Sequence, residues 1–219
     1  IFSTSLRSEQ ILNNVSRELP HDGKLRLIIA CRQEKRKGTD VVIEALPLIA
    51  ESYAGVTLDV VGGGSLLESL KERADTLGVG DRVVFHGKVE QVEVVRLLKT
   101  AHLFCYPTSA SEGFPKVVLE ALASGLPVIT TRVSVLPRLL ESGCGKLLDE
   151  ETPAALAEAV KEISGDSILY AQMSKNAIAT AGQYSLEKWR DFIGDALRES
   201  WSVDSLDRDG RSVVCRASL

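Results

Sequence analysis

The chain has 219 residues, 44% apolar, 26% charged and 5% aromatic, with a formal charge of −4. Such a composition excludes a disordered or fibrous chain and leaves room for one sizeable core, while an acidic balance with few aromatics disfavours a nucleic-acid module, so any anion site must be local. No apolar run reaches bilayer-spanning length, and the start, Ile1-Phe2-Ser3-Thr4-Ser5, lacks the basic and apolar regions of a signal peptide.

From residue 25 onward, short β-like runs alternate with helical patterns, the signal of a parallel sheet wrapped by crossover helices. Strands are expected at 25–31, 56–61, 82–86, 102–106 and 127–130, with a weaker sixth at 146–148. Their near-continuous apolar character suits a sheet covered on both faces. Helices are expected at 39–53, 66–77, 91–101 and 116–124, each linking successive strands. Pro47 removes a backbone donor from the first, which predicts a kink or restart near Leu46. Beyond residue 150 the pattern is helical only, at 153–163, 167–181 and 186–201, with Thr152-Pro153 and Ser185 as helix starts. Residues 203–219 have no periodicity and read as a frayed tail.

Ligands of an open parallel sheet bind at the carboxyl ends of its strands, which directs attention to the loops at 32–38, 62–65, 87–90, 107–115 and 131–137. The first concentrates Arg32, Lys35, Arg36 and Lys37 in an acidic chain. Arg offers phosphate a planar fork and Lys a mobile charge, so a diphosphate site is one reading and a solvated basic turn around Glu34 the other. Gly62-Gly63-Gly64-Ser65 lets backbone approach a ligand closely, or is only a tight turn. Leu67 stands where a dinucleotide fingerprint wants its third glycine, and no Gly-Lys-Ser or Gly-Lys-Thr of a P-loop is present.

The most informative stretch runs from Pro107 to Ile129 and reads as loop, helix, glycine cap and strand. Glu112 precedes the helix that Pro115 opens, and Glu120 falls in its second turn. Eight residues apart, the two acids can touch one elongated ligand at different points without forming a close acid/base pair. Glu120 sits among apolar neighbours and would want hydroxyl partners if buried, or faces solvent if not. The four cysteines lack metal-ligand spacing and read as reduced thiols of a cytoplasmic protein. His21, His86 and His102 form no catalytic pair.

Taken in order, Arg32 with Lys37-Gly38, the 62–64 glycine turn, Glu112-Gly113-Phe114 with Glu120, and then Ala123-Ser124-Gly125-Leu126-Pro127-Val128-Ile129 resemble a known family. The resemblance is to the C-terminal, nucleotide-sugar-binding domain of a family 4 (group 1) retaining glycosyltransferase of GT-B architecture. It implies a Rossmann-like three-layer α/β/α domain with about six parallel strands, one half of a two-domain enzyme. Residues 1–24 would be the interdomain connection, 25–202 the donor-binding domain with a C-terminal crossover helix carrying Trp189, Phe192 and Trp201, and 203–219 a flexible tail.

The resemblance further implies catalytic roles for Arg32 and Lys37, holding the donor diphosphate, and for Glu112, touching the donor sugar. It implies that Glu120 binds the ribose, that Lys88 and Val89 cover the base, and that Gly62, Gly63, Gly64, Gly113, Phe114, Pro115 and Lys116 complete the donor site. The donor would be UDP- or GDP-linked, with no metal or other cofactor. The acceptor, and any membrane contact, would belong to an N-terminal domain that this chain, which begins without Met, is expected to lack. An isolated domain would then be poorly active. A non-catalytic nucleotide-sugar-binding module, or an epimerase or phosphorylase of the same architecture, is the alternative. The chain departs from the family at Cys31 and Gly63, where Gly and an acid are usual, and at Val133 and Val135, where glycines are. The Asp207-Arg208-Asp209 triplet imitates a metal motif of another glycosyltransferase fold from within the tail and carries no role.

Overall fold

The structure, a computed structural model, describes residues 6–11, 17–20, 24–111 and 113–201. The expected tail, along with Glu112, His21, Cys215 and the Asp207-Arg208-Asp209 triplet, lies outside the described residues. Six strands form one parallel sheet: β1 (Arg26–Ala30), β2 (Thr57–Val61), β3 (Val83–Gly87), β4 (Leu103–Tyr106), β5 (Val128–Thr131) and β6 (Gly145–Leu148). Their spatial order is β3-β2-β1-β4-β5-β6. Between them run α1 (Thr39–Ala50), α2 (Leu67–Thr76), α3 (Gln91–Thr100), α4 (Lys116–Ala123) and the short α5 (Leu136–Leu139). After β6 come α6 (Pro153–Gly165), α7 (Ser167–Gln183) and α8 (Leu186–Trp201). Among the described residues no helix is long and apolar enough to cross a membrane.

Right-handed crossovers dictate the layers: moving from β1 toward β3 puts helices on one face, and the jump back from β3 to β4 moves the chain to the other. Accordingly α1 packs between α2 and α6, while α4 packs between α3 and α7. With both faces covered, Leu27, Ile28 and Ile29 on adjacent positions of β1 are all fully buried. The apolar run of β1 is thus explained by position in the sheet rather than by alternation.

The predicted restart at Pro47 does not occur, because α1 runs unbroken to Ala50. Proline costs the helix one hydrogen bond near its end, and the buried Ile43, Leu46 and Ile49 flank it on the face that packs inward. Helix starts follow the expected chemistry. Thr152 Oγ1 accepts from the Ala155 N–H at 3.2 Å, and Ser185 Oγ from the Lys188 N–H at 3.3 Å.

One charge lies inside the sheet layer. Asp59 on β2 is almost fully buried and accepts from Arg26 Nε at 2.5 Å and Arg26 Nη2 at 3.1 Å, and its Oδ1 is 2.7 Å from His86 Nε2. Desolvation alone would raise its pKa, but the Arg26 and His86 hydrogen bonds outweigh it and leave the carboxyl below its ordinary value. Arg17 fastens the segment ahead of the sheet. Its guanidinium donates to the carbonyls of Leu98 at 3.0 Å, Ser124 at 3.2 Å and Lys99, at the ends of α3 and α4 where cations are favoured. Further out, the Leu186 N–H donates to the Leu6 carbonyl at 2.8 Å, and Ser8 donates through N–H and hydroxyl to Glu187.

Two outcomes are expected. Asp59→Ala, which leaves Arg26 buried to about two-thirds and unpaired, should lower urea-unfolding stability by about 2–3 kcal/mol at neutral pH. Because the folded pKa is depressed, the stabilisation from Asp59 is complete above the unfolded-state pKa of about 3.9 and is lost as the pH falls through the folded value, so the variant should lose less stability than the parent on acidification. Gly38, at φ 80°, is the second test: a Cβ there would lie 2.1 Å from the Pro107 carbonyl oxygen. Gly38→Ala should therefore cost at least about 2 kcal/mol in the same assay.

Candidate functional site

The strand order reverses direction between β1 and β4, so the loops after these strands diverge and open a crevice at the carboxyl edge. Arg36, in the left-handed region at φ 68°, turns its carbonyl toward the β4 loop. That oxygen accepts from the Ser109 N–H at 3.1 Å, the Ala110 N–H at 3.2 Å and the Thr108 hydroxyl at 2.8 Å. The Thr131 hydroxyl in turn donates to the Thr108 carbonyl, extending the tie to β5. On the other side, Glu34 accepts from the Ser65 N–H at 3.1 Å and its hydroxyl at 2.7 Å, and these bonds hold its pKa below the usual range. Glu34 is thus bonded to the glycine turn while it also feels the charge of Arg32, and Arg32, Lys35 and Arg36 are exposed.

At the carboxyl edge lies a cavity of about 520 Å³. Arg32, Gly62, Gly63, Lys88 and Val89 line one side, and Lys116 and Glu120 of α4 the other. The separate sequence signals thus converge on one space, with the cations of three loops or helix starts facing a single carboxylate. Glu120 is half-buried; desolvation raises its pKa, opposed by a hydrogen bond with Gln91 and the charge of Lys116. Half-buried, Glu120 borders the cavity.

Lys37 is buried beside this space, and its charge acts on the Cys31 thiol, whose pKa burial pushes up to about 11. Pro115 takes the position just before α4, and Lys116 opens the helix where the sequence placed its start. Phe114 packs its ring 5.5 Å from that of Tyr184, and Gly113 has open space around it. These three continue the same edge beyond the cavity lining. Glu112 lies outside the described residues.

The glycines divide by role. A Cβ on Gly62, at φ 115°, would fall 1.9 Å from the Cys31 carbonyl oxygen, so only glycine fits. Gly64 stands behind the lining, against the Gln33 carbonyl, whereas Gly63 has room for a side chain near Lys88. Val133 and Val135 are half-buried and packed against the core. Sequence reasoning missed Gln91, which lines both this cavity and a neighbouring one of about 320 Å³ roofed by Leu6 and Gln10. Its place at the start of α3, after the 87–90 loop, is the signal that could have marked it. Among the described residues no cluster of three His, Cys, Asp or Glu is placed to hold a metal ion.

Comparison with known proteins places this edge in context. The family model for glycosyl transferases group 1 matches residues 13–180. A phosphatidyl-myo-inositol mannosyltransferase of Mycobacterium leprae is 32% identical over 151 residues, 68% of this chain and 40% of that protein. A GDP-mannose-dependent alpha-(1-6)-phosphatidylinositol monomannoside mannosyltransferase of Mycolicibacterium smegmatis is 31% identical over 175 residues, 75% of this chain and 44% of that protein. Among solved structures, Anabaena Alr3699/HepE in complex with UDP-glucose superposes with a TM-score of 0.71 at 25% identity, covering 80% of this chain and 49% of that one. The chain thus spans about two-fifths of the length of the curated relatives it matches. With the sheet order, the crevice and a family model that covers most of its length, the chain belongs to the group 1 glycosyltransferases.

Proposed function

We propose that this chain is the donor-binding half of a retaining, metal-independent hexosyltransferase that takes a UDP- or GDP-linked sugar. The observation that carries the reading is the convergence of Arg32, Gly62, Lys88 and Glu120 on one cavity at the strand-order reversal. GDP-mannose, on which one relative depends, and UDP-glucose, bound in a similar solved structure, have the chemistry that such a cavity takes.

In this reading the diphosphate lies against Arg32 and the glycine turn, with Lys37 and the amino end of α4 adding positive potential. As the bond to the sugar breaks, negative charge grows on the departing diphosphate, and fixed cations stabilise that charge without needing a metal. Glu120, already stripped of part of its water, accepts hydrogen bonds from the ribose hydroxyls, and Lys88 and Val89 flank the base. Gly113, Phe114, Pro115 and Lys116 face the sugar or phosphate, and Glu112 contacts the sugar. The acceptor, and with it any membrane contact, is assigned to an N-terminal half for which residues 1–24 form the connection. The apolar face of α8, with Phe192 and Leu197 exposed and Trp189 stacked on Phe192, suits a return onto that half. Unpaired thiols at Cys31, Cys105 and Cys144 fit a cytoplasmic site of action.

Calorimetric titration of the chain with UDP, GDP and ADP should give saturable binding to one of them. Arg32→Ala and Glu120→Ala should each weaken it by about tenfold, the loss of a charge-assisted hydrogen bond. Binding to none of the three, or binding indifferent to both substitutions, would sink the proposal. With a radiolabelled donor and no second half, transfer should stay near background, because the acceptor must be held at the anomeric carbon.

A further inference from the structure

Gln33 lies in the basic loop, yet its side chain is fully buried. Its Nε2 donates to the Cys31 carbonyl at 2.9 Å and the Val61 carbonyl at 3.1 Å, and its Oε1 accepts from the Thr39 hydroxyl at 2.7 Å. The backbone continues the seam: the Gln33 N–H donates to the Gly63 carbonyl at 3.0 Å, and the Gln33 carbonyl accepts from the Leu66 N–H at 3.0 Å. One residue thereby joins the end of β1, the end of β2, the glycine turn and the start of α1.

The chemistry of the seam calls for a neutral amide. Its two N–H groups meet carbonyl oxygens, that of Val61 already accepting from the Cys31 N–H at 3.0 Å, and its oxygen meets a hydroxyl, a combination of two donors and an acceptor that no charged or hydroxyl side chain supplies. A buried polar knot could serve stability alone. What points further is the pair of segments it joins, since both are walls of the cavity: Arg32 precedes Gln33 in the chain, and Gly62 and Gly63 face it across the seam. The glycine turn comes so close that a Cβ on Gly64 would lie 2.3 Å from the Gln33 carbonyl oxygen.

We infer that Gln33 is a positioning residue of the diphosphate site: its buried amide holds the Arg32 loop and the glycine turn at one fixed separation, so that both meet the same anion. The inference rests on the donor-site reading above. Glu120 lies on α4, outside the seam, and the 87–90 loop that carries Lys88 and Val89 meets the glycine turn through the Gly62 N–H, which donates to the Gly87 carbonyl at 2.8 Å, rather than through Gln33, so contacts to ribose and base depend on the seam less directly than the diphosphate does.

The test compares affinities of the parent chain, Gln33→Met and Thr39→Val for a nucleoside diphosphate and for the matching nucleoside, by calorimetry and ligand-observed NMR. The ligand is whichever of UDP, GDP and ADP the parent binds, and all titrations are run well below each variant's melting temperature. Gln33→Met keeps the volume and removes the amide; it should weaken the diphosphate about tenfold and the nucleoside less than about twofold. Thr39→Val removes only the donor to Oε1 and should weaken the diphosphate about threefold with the nucleoside again unchanged. A purely structural role would weaken both ligands alike or neither, and either result overturns the inference. Should Gln33→Met fail to fold, Thr39→Val decides by the same split. A parent chain that binds no nucleotide overturns the donor-site reading itself, and this inference with it.

Discussion

A single backbone carbonyl, that of Arg36, holds the two loops that flank the reversal of strand order. Three donors from residues 108–110 meet it, and the chain reaches the necessary direction only because Arg36 adopts a left-handed conformation that non-glycine residues seldom take. Gly38, two residues on, then passes the Pro107 backbone at a distance that excludes any side chain. The crevice therefore has a fixed width at its floor, and the residues on either rim inherit their positions from backbone rather than from flexible side chains. Such rigidity is what a site built on fixed charges requires, since stabilisation of a developing anion depends on dipoles that need not reorganise.

The electrostatics of the edge run against those of the whole. The chain carries a formal charge of −4, yet Arg32, Lys88 and Lys116 converge on one cavity that Glu120 shares. Of the nearby acids, Glu93 is paired with Arg96 and Asp59 with Arg26 and His86, while Glu34, hydrogen-bonded to Ser65, keeps its charge beside Arg32. Net charge thus says little about what the edge attracts, because a ligand meets the local arrangement of cations rather than the sum over the chain.

Much of the fold was legible because its strands are buried on both faces and read as continuous apolar runs. Glu120 was legible for the complementary reason, being a lone acid in the apolar α4. What escaped reading is polar and non-local. The Arg26, Asp59 and His86 cluster joins residues 33 and 27 positions apart, and only the strand register brings them together. Gln33 was hidden inside a run of charges, where a loop was expected to be solvated. The short α5, Leu136–Leu139, is a single turn containing Pro137, too brief for any periodicity to show. Pro47 misled in the opposite sense: a local rule anticipated a kink or restart, and no restart occurs where Ile43, Leu46 and Ile49 pack inward.

The hydrogen bond between Leu186 and Leu6 makes neighbours of two segments that sequence sets far apart. The strand order begins and ends elsewhere, but the path into the layered body and the path out of it share one edge. Such a unit can be inserted into, or excised from, a longer polypeptide at a single place without threading one part of the chain through another.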